Sequence, residues 1–94
     1  MKLYVYSVRD KKLGAYGAPR FANDDSEHMS EGVARDLKRI KPEQIDEAAD
    51  CALYYLGKFD DISGKFELLD QPEKLIDYED YVPRKKDLKD DAKN

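Results

Sequence analysis

The pattern of apolar residues at the start of the chain predicts a β-strand over residues 2–8. Aromatic and β-branched residues, which favour strands, dominate this segment. Both alternating sets of side chains are largely apolar, namely Leu3 with Val5, and Tyr4 with Tyr6 and Val8. A strand that is apolar on both sides is usually central, or is covered on its second face by another element or a partner subunit.

A helix is predicted over residues 25–40, because apolar side chains recur there at helical spacing. This stripe consists of Met29, Val33, Leu37 and Ile40. Asp24 is the expected N-cap, and Glu27 three residues later would complete a capping box. Pro42 ends the helix, since proline cannot continue it. Three basic residues fall on the far side of the helix and are expected to face solvent, namely Arg35, Lys38 and Arg39.

The segment over residues 13–23 fits neither a helix nor a regular strand, because two glycines and a proline interrupt it. It also carries Tyr16 and Phe21, so it is more than a polar linker. We expect an ordered loop. Its aromatic rings either cover the core or face a partner, and the sequence leaves both possibilities open.

A β-hairpin is predicted from residues 52–59 and 65–69, joined by the turn Asp60–Gly64. One face of it is expected to carry Leu53, Tyr55 and Phe59, with Phe66 and Leu68 on the return strand. Before the hairpin, residues 42–50 are expected to form a helical turn with Ile45 inward. After it, Pro72 fits the first position of a short helix that runs to Tyr78.

These elements predict an α+β fold in the order β-α-β-β, with a small antiparallel sheet packed on one main helix. The sheet would combine the N-terminal strand with the C-terminal hairpin. A chain of 94 residues is long enough for one domain, expected over residues 1–82. Residues 83–94 contain a single Leu among many charges, so we expect a disordered tail.

The charge of the chain is acidic overall and unevenly divided. The net charge is −4, with +3 from nine basic and six acidic residues up to position 41 and −7 from eight and fifteen thereafter. Such a balance argues against a general nucleic-acid coat protein, although one basic face can still bind an anion. The single cysteine, Cys51, and the absence of a signal-peptide pattern or a long apolar run favour a soluble protein of the cytoplasm, without membrane contact.

No arrangement of residues typical of catalysis or metal binding occurs in the sequence. The one histidine, His28, and the one cysteine fall in different elements, too few for a zinc site. The Asp60–Pro72 segment lacks the ligand positions of a calcium loop. No nucleophile elbow or phosphate-binding glycine pattern is present. We therefore expect a protein that is no enzyme, needs no cofactor and acts by binding.

Two short motifs and their order resemble a known family. They are Ala15-Tyr16-Gly17-Ala18-Pro19 and Leu56-Gly57-Lys58-Phe59-Asp60-Asp61, the second followed by Gly64-Lys65. Over residues 1–80 the chain resembles the small nonstructural protein of the gokushoviruses, bacteriophages of the Microviridae with single-stranded DNA genomes. Arg20 stands where that family often has a second aromatic residue. The resemblance implies a non-virion protein that acts in genome replication in the bacterial host cytoplasm, without catalytic residues.

Two hypotheses follow. In the first, the protein binds single-stranded DNA by stacking and phosphate contacts. The residues proposed for this are Lys11, Lys12, Tyr16, Arg20, Arg35, Lys38 and Arg39. This hypothesis requires a patch of positive potential near Tyr16. In the second, the protein binds a host or phage replication protein without touching DNA. A homodimer that covers the second face of the first strand, or pairs edge strands, is compatible with both, and the alternative is a monomer in which the loop over residues 13–23 covers that face.

Overall fold

The computed structural model describes residues 1–84. In this range the chain forms a five-stranded antiparallel sheet and one main helix. The strands are β1 (Lys2–Asp10), β2 (Ala15–Tyr16), β3 (Arg20–Ala22), β4 (Cys51–Asp60) and β5 (Phe66–Asp77), and the helices are α1 (Ser26–Leu37) and α2 (Ile45–Ala49). Short 3-10 turns cover Pro42–Gln44 and Tyr78–Asp80. The predicted α+β class is confirmed, whereas the predicted tail lies, from residue 85 onward, outside the described residues.

The first strand, β1, is central, which is one of the two arrangements that its two apolar sides predict. It pairs with β2 and β3 along one edge and with β4 along the other, and β5 lies outside β4. The prediction of a loop over residues 13–23 is therefore corrected, because β2 and β3 come from this segment. Each piece is too short to show a strand pattern in the sequence. Backbone pairing with β1 forms them, and Gly17 between them donates to the Val8 carbonyl at 2.8 Å.

A one-residue slip in the pairing of β1 with β4 decides which side chains share a face. Tyr6 lies opposite Tyr55, but Val5 lies opposite Gly57, so Leu56 is an extra residue on β4. Residues directly opposite each other project to the same side, and one extra residue reverses the alternation. Leu53 and Tyr55 therefore lie on one face and Phe59 on the other, so the prediction that they share a face is wrong.

The main helix packs on the face of Tyr6, Val8 and Leu53, which we call the helix-covered face. The side chains of Tyr6, Leu53 and Leu37 are 2–5% exposed, and Ile45 of α2 is buried as predicted. The opposite side of the sheet, the open face, carries Leu3, Val5, Arg9, Tyr16, Phe21, Tyr54, Phe59, Phe66, Leu68 and Lys74 by strand register. Within residues 1–84 no helix covers the aromatic rings of this face.

The helix begins one residue later than predicted. Asp25, not Asp24, is the N-cap, and its carboxylate accepts a hydrogen bond from the His28 backbone N–H at 3.0 Å. The carbonyl of Asp24 instead accepts from the Tyr6 hydroxyl at 2.7 Å. This contact fixes the entry of the helix onto the sheet, which local sequence cannot show. The last predicted residues, up to Ile40, form a turn beyond the end of α1.

The hairpin turn forms as predicted, but the strand after it is much longer. The Asp60 carboxylate accepts from the backbone N–H of Ile62 at 2.9 Å, and Gly64 closes the turn with φ at +73°. The predicted helix from Pro72 is wrong, since β5 continues to Asp77. Residues 69–72 form an irregular stretch opposite Leu56. An edge strand tolerates Pro72 there, because no ladder hydrogen bond is required of it.

Candidate nucleic-acid interface on the open face

Tyr16 and its neighbours form a cationic aromatic patch at one end of the open face. The Tyr16 ring lies edge-on to the Tyr54 ring, with centroids 5.3 Å apart, and the Arg9 guanidinium carbon lies 5.7 Å from the Tyr16 centroid. Lys74 of β5 stands opposite Tyr54. We call Arg9, Tyr16, Tyr54 and Lys74 the Tyr16 patch. Tyr16 is 46% exposed, so part of its ring is free to contact a ligand.

The turn between β1 and β2 holds Tyr16 in place. The Asp10 carboxylate accepts from the backbone N–H groups of Lys12 at 2.9 Å and Leu13 at 3.1 Å. Gly14 has φ at +69°, a region that favours glycine, and donates its N–H to the Asp10 carbonyl at 2.8 Å. These contacts set Tyr16 opposite Arg9. The aromatic ring is therefore carried by an ordered hairpin.

A shared carboxylate neutralises much of the lysine charge near the patch. The Lys11 ammonium lies 3.0 Å from the Asp77 carboxylate and 3.8 Å from that of Glu79, and Lys74 contacts the same Asp77 group. Hydrogen bonds from Lys74 and then Lys11 lower the pKa of the Asp77 carboxyl, and that group in turn raises the pKa of both lysines. Arg9 differs, because no carboxylate within residues 1–84 lies in ion-pair distance of it.

The residues predicted to bind DNA do not lie on one surface. Lys11, Lys12 and Tyr16 lie together at the β1–β2 hairpin. Arg20 lies opposite Tyr6, on the helix-covered face. The remaining three are exposed at the end of α1 or just beyond it, across the sheet from Tyr16, namely Arg35, Lys38 and Arg39.

The structure adds three residues that the sequence did not single out, namely Arg9, Tyr54 and Lys74. The predicted strand over residues 2–8 stops short of Arg9, but β1 runs through it to Asp10. The alternation of β1 places Arg9 on the side of Leu3 and Val5. This pattern is visible in the sequence. The pairing of Arg9 with Tyr16, and the contact of the Tyr16 ring with Tyr54, are not visible there, because they depend on the register of two other strands.

A second group of aromatic residues, which we call the phenylalanine cluster, lies at the other end of the open face. It consists of Phe21, Phe59 and Phe66 from three different strands, with ring centroids 4.8–6.1 Å apart. Val5 is buried among the residues of this face at 2% exposure. Phe21 and Phe66 stay 46% and 51% exposed, and neighbouring Leu68 is 60% exposed.

A cavity of about 290 Å³ lies between the sheet and α1. Its walls are mainly apolar, and Arg20 and the Tyr78 ring border it. Burial raises the pKa of the Tyr78 hydroxyl, so this group stays neutral at physiological pH. Its lining includes Val8, Pro19, Met29, Val33 and Leu53.

Side chains that could bind a metal or act as a nucleophile are dispersed in residues 1–84. No group of three His, Cys, Asp or Glu side chains there could hold a metal ion. The Cys51 thiol donates to the Glu47 carbonyl at 3.6 Å, and burial raises its pKa, so it stays protonated near neutral pH. The His28 imidazole is exposed and donates to the Asp25 carboxylate at 2.8 Å. These contacts are structural.

The family model of the Phage ORF5 protein matches residues 3–81. The chain belongs to the Phage ORF5 protein family. Both the Tyr16 patch and the phenylalanine cluster fall within the matched range, so this member of the Phage ORF5 family carries them in its family domain. It is a phage protein. No curated protein and no solved structure matches the chain. In the part of this family member that the structure describes, no helix is long and apolar enough to cross a membrane.

Proposed function

We propose that this Phage ORF5 family member is a non-enzymatic accessory protein of gokushovirus genome replication that binds single-stranded DNA in the host cytoplasm. The observation that carries the proposal is the exposed Tyr16 ring beside the guanidinium of Arg9, which has no ion-pair partner among residues 1–84. Proteins that bind single strands combine aromatic rings, on which bases stack, with cations that contact the phosphates. The Tyr16 patch supplies both on one face.

The local charge of the open face supports the proposal despite the acidic chain. Among the residues that the strand register places on this face, Arg9 and Lys74 are the cations and Asp77 is the only carboxylate. The face is therefore slightly positive, whereas the whole chain carries −4. A polyanion approaching the protein meets the least repulsion there.

The proposed site is smaller than the one the sequence predicts, and this limits the expected affinity. Lys11 is held by two carboxylates, and Arg20 and Arg39 lie away from Tyr16. Contacts from Arg9, and from Lys74 in exchange for its ion pair with Asp77, would engage at most about two phosphates. For single strands this gives a slope of log K against log salt near −1.4, far shallower than that of a basic coat protein. We expect micromolar binding at low salt.

Fluorescence anisotropy with a labelled oligo-dT of about 16 nucleotides tests the proposal across a salt series. Tyr16→Ala should weaken binding about tenfold, because base stacking contributes on the order of 1–3 kcal/mol. Tyr16→Phe keeps the ring and should bind like the wild type. Arg9→Gln should weaken binding, whereas Arg39→Gln, the same charge change across the sheet, should not. No binding by the wild type, or equal losses in both arginine variants, would refute the proposal.

A second candidate function is a protein-binding module that engages a host or phage replication protein without touching DNA. The exposed phenylalanine cluster and the acidic half of the chain after position 41 favour it. The wild type and Phe66→Lys would be used to capture proteins from infected host cells, each with and without residues 84–94. Retention of a phage replication protein by the wild type and its loss with Phe66→Lys would support this function. Recovery of no replication protein in any sample would exclude it.

A further inference from the structure

We infer that two copies of this chain associate face to face through the phenylalanine cluster, as a symmetric dimer. This inference concerns the opposite end of the open face from the Tyr16 patch and does not rest on DNA binding. The cluster is formed by side chains from β3, β4 and β5, and no helix within residues 1–84 covers it. Leu3 lies opposite Phe59 and extends the same apolar surface.

The edges of the sheet are poorly suited to pairing with a second copy. On one side, β5 is interrupted by the irregular stretch at residues 69–72, which contains Pro72. Irregular pairing, prolines and charges on an edge strand all oppose the addition of another strand. On the other side, β2 and β3 are two and three residues long. The open face is therefore the surface through which two copies can meet.

Charge favours a second copy over a polyanion as the occupant of this surface. The residues that the strand register places at this end of the open face are all uncharged, and beside them the N-terminal ammonium lies 2.9 Å from the Asp61 carboxylate. Opposite charges are thus already paired at the rim, which leaves it close to neutral. Chains of charge −4 repel each other least where charges are balanced. A neutral rim around apolar rings is self-complementary, as a two-fold interface requires.

The exposed apolar area is sufficient for a dimer of moderate stability. Given the exposed fractions of Phe21, Phe66 and Leu68, these three side chains leave roughly 300 Å² of apolar surface in contact with water. Two copies, together with Leu3, Phe59 and the rim, approach the roughly 1,000 Å² at which specific interfaces begin. We therefore expect a dissociation constant in the micromolar range.

The dimer and the DNA site are compatible in space. Phe21 pairs with Val5 and Tyr16 pairs with Arg9, four residues further along β1. At about 3.3 Å per residue, the two groups are separated by roughly 13 Å along the strand. A two-fold axis that crosses the strands of the two facing sheets at the phenylalanine cluster would direct the two Tyr16 patches toward opposite ends of the dimer. Each copy could then bind DNA independently of the interface.

Analytical ultracentrifugation of the full chain, over concentrations from about 1 to several hundred micromolar, tests the dimer. The wild type should shift with concentration from the monomer mass of 10.9 kDa toward twice that value. Phe66→Lys and Leu68→Lys should each weaken association at least tenfold. Leu13→Lys is the matched control, because Leu13 is 77% exposed in the turn at the far end of the sheet. Circular dichroism and thermal melting of each variant establish that it is folded.

Every outcome of these measurements supports or overturns the dimer through the phenylalanine cluster. A wild type that stays monomeric at every concentration overturns the dimer, and so does equal weakening by Leu13→Lys and Phe66→Lys. Oligo-dT binding by Phe66→Lys separates this inference from the proposed function. A folded, monomeric Phe66→Lys that binds oligo-dT like the wild type supports the dimer and leaves DNA binding intact. A monomeric wild type that loses oligo-dT binding on the same substitution assigns the cluster to the DNA site instead.

Discussion

Gly57 and Leu68 lie opposite each other in β4 and β5, so close that a Cβ on Gly57 would come within 2.7 Å of the Leu68 Cα. Gly57 also has φ at +142°, a conformation that side chains other than glycine rarely adopt. This contact lies beside the extra residue Leu56, where the pairing with both neighbouring strands shifts. The close approach of the two backbones is thus what allows side chains to change faces midway along the sheet.

The first prediction concerns this glycine. Gly57→Ala should destabilise the fold by more than about 3 kcal/mol, since the methyl group meets backbone atoms and the backbone angle is strained as well. Gly64→Ala is the control. Gly64 also has a positive φ, but a Cβ there would meet nothing within 4 Å, so about 1–2 kcal/mol is expected. Urea denaturation measures both. Equal effects would contradict a role for backbone contact.

A second glycine should be replaceable with a gain in stability. Gly32 lies inside α1 with an ordinary helical backbone, and a Cβ would meet nothing within 4 Å. Gly32→Ala should therefore raise the free energy of unfolding by up to about 1 kcal/mol, because alanine has the higher helix propensity. Ala34→Gly, the reverse change in the same helix, should lower it by a similar amount. Thermal melting of the pair provides the measurement, and a destabilised Gly32→Ala would contradict the expectation.

A third prediction follows from the carboxylate shared by Lys11 and Lys74. Asp77→Asn should free the Lys74 ammonium and leave Lys11 with only Glu79, and so strengthen oligo-dT binding by the Tyr16 patch roughly threefold to tenfold, with a steeper salt dependence. Asp36→Asn is the control, because it makes the same charge change in α1 across the sheet. Anisotropy titrations at several salt concentrations compare the two. If both variants gain equally, the effect is one of net charge and the patch is not the binding site.

The same substitution should affect stability in a pH-dependent manner. The pKa of the folded Asp77 carboxyl is lowered by its two lysine partners. The stabilisation of the fold by these ion pairs is therefore present above the unfolded pKa, near 3.9. It is lost as the pH falls through the lower pKa of the folded state. At neutral pH Asp77→Asn should cost at most about 1 kcal/mol, because the lysines are partly exposed. Urea denaturation at several pH values should show this cost shrinking in acid.

The histidine at the start of α1 should give a second, opposite pH dependence. A hydrogen bond to the Asp25 carboxylate, followed by its charge, raises the pKa of His28 above 6.5. For a group of this kind the stabilisation is complete below the unfolded pKa and is lost as the pH rises through the folded pKa. The wild type should therefore lose melting temperature relative to His28→Gln between about pH 5.5 and 8. If the melting temperatures of the wild type and His28→Gln changed with pH in parallel, the pair would contribute nothing measurable.

Much of the architecture could be predicted because the determining pattern is local. The apolar stripe from Met29 onward and the acidic N-cap define α1 to within a few residues. The polar turn ending in Gly64 defines the hairpin. For Pro72 the same local reasoning failed, since a proline that could begin a helix equally fits an irregular edge strand. Here β5 continues through Pro72 because it pairs with β4, and that pairing exists only in the folded chain.

The candidate site could be predicted only in part. Tyr16 is recognisable as an aromatic residue in an ordered, glycine-rich segment, and it lies half-exposed on the surface. The basic residues that the sequence predicts around it are those that lie near it in sequence or on an exposed face of the helix. Strand register instead brings Arg9 and Lys74 to Tyr16 and leaves Arg20 on the opposite face. No local pattern encodes that register.

The sequence by itself determined the types of β1, α1 and the β4–β5 hairpin and the α+β class, and it favoured a central β1, because these depend on the pattern of apolar residues within one segment. Tertiary structure alone decided which aromatic residues share the open face, where β5 ends and which cations lie beside Tyr16. The physical reason is that side chains alternate between the two faces of a strand. The single extra residue Leu56 therefore reverses the face of every side chain that follows it in β4. Beside that residue, Gly57 lets the backbones of β4 and β5 approach closely.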